Sequence, residues 1–378
     1  MTRTANAALA AMTISFGLNF SMGVFFAPTA AAYGVSATAL SVAAALSTAL
    51  TGLVQLRIGA LLDRVGARAV LAVGLILTSG SYLVLSVVQQ TWEFVAAYMV
   101  LGGLGFAASS SLTITTLISR SYGSQAGPKL ARASIGINLG QVLVPWAATA
   151  LFEPVGVRGA YAVLGVAGLV VTLILWFAVP QDRVTGAGPA RGESLAGRMR
   201  VLVSFGLHAA TMYVVVLMLP RHALETGWSV VGAGRLVAVV AISAGLTSAL
   251  VARLLRTHKP ERLLFVLYGL RALALVLAVA VPGPEVLWVV AVLFGAASFP
   301  MIPLTMAVMS RGLDPARIGR TLAPAWVTHQ LAAAVGLGVA AALHALTDSY
   351  RGYFALGVAF SVAAAVLIFR KEKTLVPA

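Results

Sequence analysis

Four ionisable side chains lie inside long apolar stretches of the sequence, where charge is costly and usually functional. Two are arginines, Arg57 and Arg271, and each needs an anion or polar groups of neighbouring helices around it. Two are histidines, His208 and His329, which exchange protons near neutral pH or hydrogen-bond to a second helix. These residue types indicate binding and movement of an anion or a proton, and they form no catalytic constellation.

Each buried arginine has two interpretations. Arg271 either bonds to carbonyls or polar groups of the predicted helices 8 or 10, or it contacts a substrate or a gate. Arg57 lies about 9 Å deeper than Asp63, at about 1.5 Å per helical residue. It either snorkels to the inner surface or faces a cavity and attracts anions from the cytoplasm. All 11 acidic residues fall at predicted helix ends or in loops, so a proton must be carried by histidine or by the substrate.

A set of neutral polar residues accompanies His329. In an alignment of the two chain halves, His329 and Gln330 fall at the depth of Ile137 and Asn138, with Gln141 nearby. Such a set on two related helices is typical of a midplane binding site, although single polar residues more often hold helices together. The candidate substrate-binding residues are Asn19, Asn138, Gln141, His208, Tyr213, Trp326, His329, Gln330, Arg271 and Arg57.

The composition requires a membrane to position these residues. The chain is 60% hydrophobic and 10% charged, it lacks cysteine, and its mean hydropathy is +0.96. About 20 apolar residues cross a bilayer as a helix. We therefore predict an all-α membrane protein with twelve transmembrane helices, at roughly 6–33, 37–62, 67–88, 92–118, 130–152, 158–180, 200–220, 232–254, 261–281, 285–309, 319–345 and 350–369.

The net charge of +15 sets the orientation. Twenty of the 26 lysines and arginines fall in the termini and alternate connections, which the positive-inside rule places in the cytoplasm. Both termini are therefore predicted to be cytoplasmic. Nucleic acid is not an expected partner, because no soluble domain carries the charge.

The sequence repeats itself after about half its length. "SLTITTLISR" (111–120) matches "PLTMAVMSR" (303–311), and "VRGAYAVLGVAG" (157–168) matches "YRGYFALGVAF" (350–360). We predict a six-helix half at 1–180, a cytoplasmic linker at 181–199 and a second six-helix half at 200–378. Many secondary carriers are built this way, with their substrate site between the repeats.

The turn between helices 2 and 3 reads "GALLDRVGAR". It resembles the signature loop of the major facilitator superfamily, G-x-L-x-D-R-x-G-x-R. The resemblance implies the major facilitator fold and a loop that latches the two halves in one access state. Glycine lets helices approach closely, and Asp63 can pair with arginines or cap a helix. The second half has Ala252 at the aspartate position, which makes the latch asymmetric. The predicted latch residues are Gly59, Asp63, Arg64, Gly66 and Arg68.

Several segments resemble the monocarboxylate-porter and oxalate–formate-exchanger branch of that superfamily. They include "SMGVFFAPTAAAYGVSATAL", "LISRSYGSQAGPKLARASIGINLGQVLVPW" and "TDSYRGYF". The chain departs from the branch where helix 8 lacks the usual mid-membrane arginine and where helix 11 offers His329 in place of the exchangers' lysine.

We therefore expect a secondary active transporter that moves a small, monocarboxylate-like organic anion by alternating access. The alternative within carriers is an exporter of amphipathic or neutral small molecules, and a transporter-like receptor without flux is a further class. No enzyme activity, cofactor or metal site is expected. The expected partners are the substrate, protons or a counter-anion, and the lipid bilayer. We expect a monomer in the inner membrane.

Overall fold

The computed structural model describes residues 2–35, 37–181, 192–281, 283 and 285–369. The described residues are helical almost throughout and include no strand. Their α-helices are α1 (Thr2–Tyr33), α2 (Ala37–Val65), α3 (Ala67–Val87), α4 (Thr91–Ala96), α5 (Gly103–Ser109), α6 (Ser111–Tyr122), α7 (Ala126–Ala178), α8 (Met199–Glu225), α9 (Val230–Leu254), α10 (Pro260–Ala280), α11 (Val286–Ser298), α12 (Met301–Met309), α13 (Ile318–Thr347) and α14 (Arg351–Phe369).

These fourteen helices make twelve passages. A π-helical turn joins α4 to α5, and α4, α5 and α6 form one interrupted passage. A second interrupted passage consists of α11 and α12, whereas α7 contains two passages separated at Gly156, which has φ 68° and ψ 178°. Eight stretches of the described residues are apolar and long enough to cross a bilayer, and one of them, Thr91–Ala178, is 88 residues long. The predicted all-α membrane fold is confirmed.

The fourth passage is broken at three consecutive serines. Ser110 separates α5 from α6 and is extended, with φ −86° and ψ −163°. The Thr113 hydroxyl donates a hydrogen bond to the Ala108 carbonyl at 2.6 Å. Side-chain hydroxyls of this kind satisfy backbone groups that a break leaves open in an apolar surrounding. The prediction of one continuous fourth helix is therefore wrong at Ser110.

The tenth passage is broken at Phe299 and Pro300, between α11 and α12. Proline has no N–H to donate and its ring clashes with the carbonyl four residues earlier. This break precedes the segment 303–311, and the serine break adjoins its repeat partner 111–120. Interrupted helices in corresponding positions of two repeats are the best sequence pointer to a transport site.

The chain forms two compact units: unit 1 contains Met1–Glu193 and Gly312–Gln330, and unit 2 contains Ser194–Arg311 and Leu331–Ala378. In unit 1, α1 and α3 pack against α7. In unit 2, α10 packs against α11 and α14, and α9 packs against α11. The predicted six-helix halves stay a prediction, and most of the predicted linker, residues 182–191, lies outside the described residues.

Candidate functional site

The buried carboxylate of Asp63 binds the first turn of α13 within unit 1. Asp63 lies near the end of α2, and its side chain is 0% exposed. Its Oδ1 atom accepts a hydrogen bond from the Gly319 N–H at 2.9 Å, and its Oδ2 atom accepts one from the Arg320 N–H at 2.8 Å. Free N–H groups at a helix start favour a negative charge, so Asp63 acts as a cap for a helix distant in sequence.

Arg120 supplies the opposite charge. Its Nη2 atom donates to Asp63 Oδ1 at 2.8 Å, and Nη1 donates to the Leu62 carbonyl at 2.9 Å. Its Nε atom donates to the Pro315 carbonyl at 2.8 Å, so one guanidinium joins the ends of α6, α2 and the segment before α13. A buried carboxylate requires such pairing, because desolvation of a lone charge costs on the order of several kcal/mol.

The basic residues of the signature loop have other surroundings. Arg64 is exposed, and the Arg68 guanidinium stacks over the Trp176 ring at 4.1 Å. The aspartate pairs with Arg120 from the fourth passage, a residue outside the predicted latch. The sequence signal was present, since Arg120 ends the repeated segment 111–120.

Two glycines allow the Asp63 contacts to form. A Cβ on Gly59 would lie 2.6 Å from the Gly319 carbonyl oxygen, and one on Gly319 would lie 2.7 Å from Asp63 Oδ1. The backbones of α2 and α13 therefore approach at a distance that only glycine permits. Gly66 has φ 88°, and this left-handed conformation turns the chain from α2 into α3.

Glu193 adds a second tie to the same segment of unit 1. Its Oε1 atom accepts a hydrogen bond from the Asp314 N–H at 2.6 Å, and its own N–H donates to Thr321 Oγ1 at 3.0 Å. The segment 312–321 is thus held by two carboxylates, which accept from backbone N–H groups at its start and at the beginning of α13.

Neutral polar residues are buried deeper in unit 1. Asn138 on α7 is 3% exposed, and among the described residues neither polar atom of its amide has a hydrogen-bond partner. His329 is fully buried, with its ring centroid 5.2 Å from that of Trp326. Gln330 packs against α2, because a Cβ on Gly52 would lie 3.1 Å from Gln330 Cβ. Amides without protein partners are available to a polar solute.

Other predicted site residues of this unit are less buried, and one buried residue was missed. Asn19 and Gln141 are half-buried, and Arg57 is exposed on α2. Gln55, two residues before Arg57, is only 1% exposed, and its Oε1 has no hydrogen-bond partner in the described part of the chain. Gln55 lies three residues after Gly52 on α2, and sequence spacing alone did not distinguish it from a packing residue.

Unit 2 contains a buried positive charge. Arg271 on α10 is fully buried; its Nε donates to Ser361 Oγ at 3.0 Å and its Nη1 donates to His208 Nδ1 at 2.9 Å. Arginine cannot accept a hydrogen bond, so Nδ1 accepts and the His208 ring carries its proton on Nε2. The guanidinium lies 5.0 Å from the Tyr268 ring centroid. Within the described residues, Nη2 has no partner and no carboxylate forms an ion pair with Arg271.

The partners of Arg271 correct one expectation and unite two predicted site residues. They lie on α8 and α14, which are the seventh and twelfth passages, so the prediction of partners on helices 8 or 10 is wrong. The structure brings His208 and Arg271 together, whereas Tyr213, further along α8, is half-buried. The arrangement can hold an anion by charge, but it lacks an acid and a base poised for bond cleavage.

The sequence matches the Major Facilitator Superfamily over residues 7–337 and again over 201–377. It is 26% identical over 367 residues to an uncharacterized MFS-type transporter, YcxA, of Bacillus subtilis (strain 168), covering 91% of this chain and 88% of the relative. The human organic anion transporter MFSD10 (TETRAN) has a similar structure, with a TM-score of 0.82, 15% identity and coverage of 97% of this chain and 99% of that one. The proton:xylose symporter XylE gives a TM-score of 0.77 and 15% identity over 97% of this chain and 94% of its own.

Proposed function

Because the chain belongs to the major facilitator superfamily, whose members are transporters and not enzymes, we propose that it moves a small, monocarboxylate-like organic anion by alternating access. Protons or a counter-anion are the coupling partners in this proposal. In this proposal the protein works as a monomer in the inner membrane. Both termini lie in the cytoplasm, an orientation that the positions of the lysines and arginines favour.

The buried cation in unit 2 carries the proposal. Arg271 is fully buried, forms no ion pair within the described residues and has one terminal nitrogen without a partner there. A charge at this depth costs at least about 2.5–3.5 kcal/mol. An anion that reaches Arg271 would supply the missing countercharge, which a neutral solute does not. The fold itself selects no substrate, since the similar structures include an organic anion transporter and a xylose symporter.

The contacts of Asp63 support the two-state part of the proposal. A conformational latch must bind strongly in one state and open in the other. Asp63 caps α13 only while Gly319 and Arg320 remain beside it, and Arg120 binds both the carboxylate and the Pro315 carbonyl. We assign the latch to Gly59, Asp63, Gly66 and Arg120. Arg64 and Arg68 belong to it as the basic residues that flank Gly66.

The alternative, export of an amphipathic or neutral compound, is favoured by the buried polar residues of unit 1. Asn138, Gln330 and Gln55 are neutral amides with atoms that have no hydrogen-bond partner among the described residues, and Trp326 adds an aromatic surface. Amides and an indole suit a neutral solute with an apolar body. Within the described residues no acidic side chain is hydrogen-bonded to these amides, which disfavours a lipophilic cation.

Ligand-induced thermal stabilisation of the purified protein distinguishes the anion transporter from the exporter of neutral compounds. A ligand at 100 times its Kd raises the free energy of unfolding by about 2.7 kcal/mol. Small carboxylates should stabilise the wild type and Arg271→Lys, but not Arg271→Gln. The exposed-site variant Arg256→Gln is the control for loss of a charge and should respond as the wild type does. Stabilisation by neutral hydrophobic compounds alone would reject the anion proposal in favour of the exporter.

A further inference from the structure

A groove of about 990 Å³ opens in unit 2, where α8 and α10 begin and α12 and α14 end. Its charged lining consists of Arg200, Lys259, Arg262, Arg311 and Glu261. The carboxylate of Glu261 accepts a hydrogen bond from Arg311 Nη1 at 2.8 Å. Four cations against one carboxylate make the groove strongly cationic, so its occupant is expected to be an anion.

The remaining lining is apolar. Phe265 and Val266 follow Arg262 on α10 by about one helical turn, and they are 41% and 58% exposed. Phe369 at the end of α14 is 72% exposed, and its ring centroid lies 5.1 Å from that of Phe265. The groove therefore combines basic residues at the helix ends with an aromatic wall, in which Phe265 lies one turn into α10 and Phe369 ends α14.

We propose that this groove binds an anionic phospholipid of the surrounding bilayer. The first turn of α10 contains Lys259 as its N-cap and Arg262, and this is the level at which a membrane-crossing helix meets the headgroups. The phosphate of the lipid contacts Lys259 and Arg262, and an acyl chain lies along Phe265 and Phe369.

The basic and the apolar parts of the lining together favour a phospholipid over other occupants. A soluble phosphate or carboxylate would use the cations and leave the aromatic wall uncovered. A second copy of this chain, seated with the same groove, would place cations against cations, which is repulsive. A phospholipid with a net negative headgroup satisfies both parts, and phosphatidylcholine, which has no net charge, satisfies only the apolar one.

Native mass spectrometry of the full chain in neutral detergent tests the site, with palmitoyl-oleoyl phosphatidylglycerol and palmitoyl-oleoyl phosphatidylcholine as the probes. The wild type should retain phosphatidylglycerol with about a tenfold or greater preference. The double variant Lys259→Gln, Arg262→Gln should weaken its binding about tenfold to thirtyfold, as expected for two cations at a membrane surface. The double variant Arg253→Gln, Arg256→Gln loses the same charge from residues that do not line the groove and should bind as the wild type does.

A second pair of variants tests the apolar part of the groove. Phe369→Gln should weaken binding of the long-chain lipid several-fold, whereas Phe177→Gln, at a similarly exposed phenylalanine of unit 1, should leave it unchanged. If the charge double variant does not fold, Lys259→Gln alone should weaken the binding of phosphatidylglycerol in the same way, by a smaller factor. Equal retention of the two lipids overturns the proposal, and so does displacement of phosphatidylglycerol by glycerol phosphate, which would assign the groove to a soluble anion. A dimer that Phe369→Gln abolishes would assign it to a second copy and also overturns the proposal.

Discussion

Arg120 and Arg311 match in the internal repeat, and each places a guanidinium nitrogen 2.8 Å from a carboxylate oxygen, but in opposite surroundings. The pair of Arg120 with Asp63 is buried, with exposed fractions of 7% and 0%. The pair of Arg311 with Glu261 is exposed, at 58% and 32%. Exposed pairs contribute about 0–1 kcal/mol, whereas removing one partner of a buried pair costs about 3–5 kcal/mol. Both repeats therefore contain the arginine, but removing one partner of its ion pair is expected to cost far more stability in the first repeat than in the second.

The substitution Asp63→Asn should slow substrate exchange with little change in substrate affinity. The neutral amide leaves Arg120 without its countercharge and weakens the cap on Gly319 and Arg320, so the state that contains these contacts becomes less populated. Exchange rates in proteoliposomes and binding in detergent measure the two effects separately. Glu261→Gln, which disrupts the exposed pair, is the control. An unchanged exchange rate in Asp63→Asn would remove the carboxylate from the latch.

A methyl group at Gly59 should interfere with the same contact sterically. The new Cβ would lie 2.6 Å from the Gly319 carbonyl oxygen and 2.7 Å from Ala323 Cβ, so α2 and α13 have to separate. We expect Gly59→Ala to lower the unfolding temperature and to slow exchange. Gly80→Ala on α3 is the matched control, because no atom lies within 4 Å of its added Cβ and it replaces a helical glycine by alanine. The control should be neutral or more stable, by up to about 1 kcal/mol. Equal behaviour of the two variants would contradict the close approach.

The sequence predicts some parts of this arrangement and not others, for physical reasons. Long apolar runs and their Gly- and Pro-containing breaks predict the twelve passages, because the bilayer dictates span length. The conformation of Ser110 was not predictable, since it depends on which hydroxyls find carbonyl acceptors once the helix is packed. Arg120 was missed as the partner of Asp63 because the two lie 57 residues apart and meet only through tertiary packing.

The buried arginine depends on its histidine for one of its two hydrogen bonds to side chains. Replacing His208 by alanine leaves Arg271 Nη1 without its acceptor, and the loss of a buried hydrogen bond to a charged group costs about 1.5–3 kcal/mol. We expect a lower unfolding temperature in His208→Ala, and a carboxylate ligand should recover more stability in this variant than in the wild type, because the anion replaces the lost acceptor. Tyr353→Phe, which removes the buried hydrogen bond from the Tyr353 hydroxyl to the Ala210 carbonyl at 2.7 Å, is the control because these two residues do not bind Arg271. This control should show no such recovery. Equal recovery in both variants would mean that the anion does not bind at Arg271.

The remaining buried histidine carries the prediction for proton coupling. His329 is fully buried beside Trp326, and the sequence predicts that the 11 acidic residues lie at helix ends or in loops. If transport moves a proton through the protein, we expect His329 of unit 1 to carry it, because an imidazole nitrogen can accept and release a proton. His329→Ala should therefore reduce transport and flatten its dependence on pH while the amount of folded protein in the membrane stays the same. His258→Ala, at an exposed histidine between α9 and α10, is the control and should retain the wild-type pH profile. A wild-type rate and pH profile in His329→Ala would leave the substrate itself as the proton carrier, since an organic acid can cross in its protonated form without a titrating side chain.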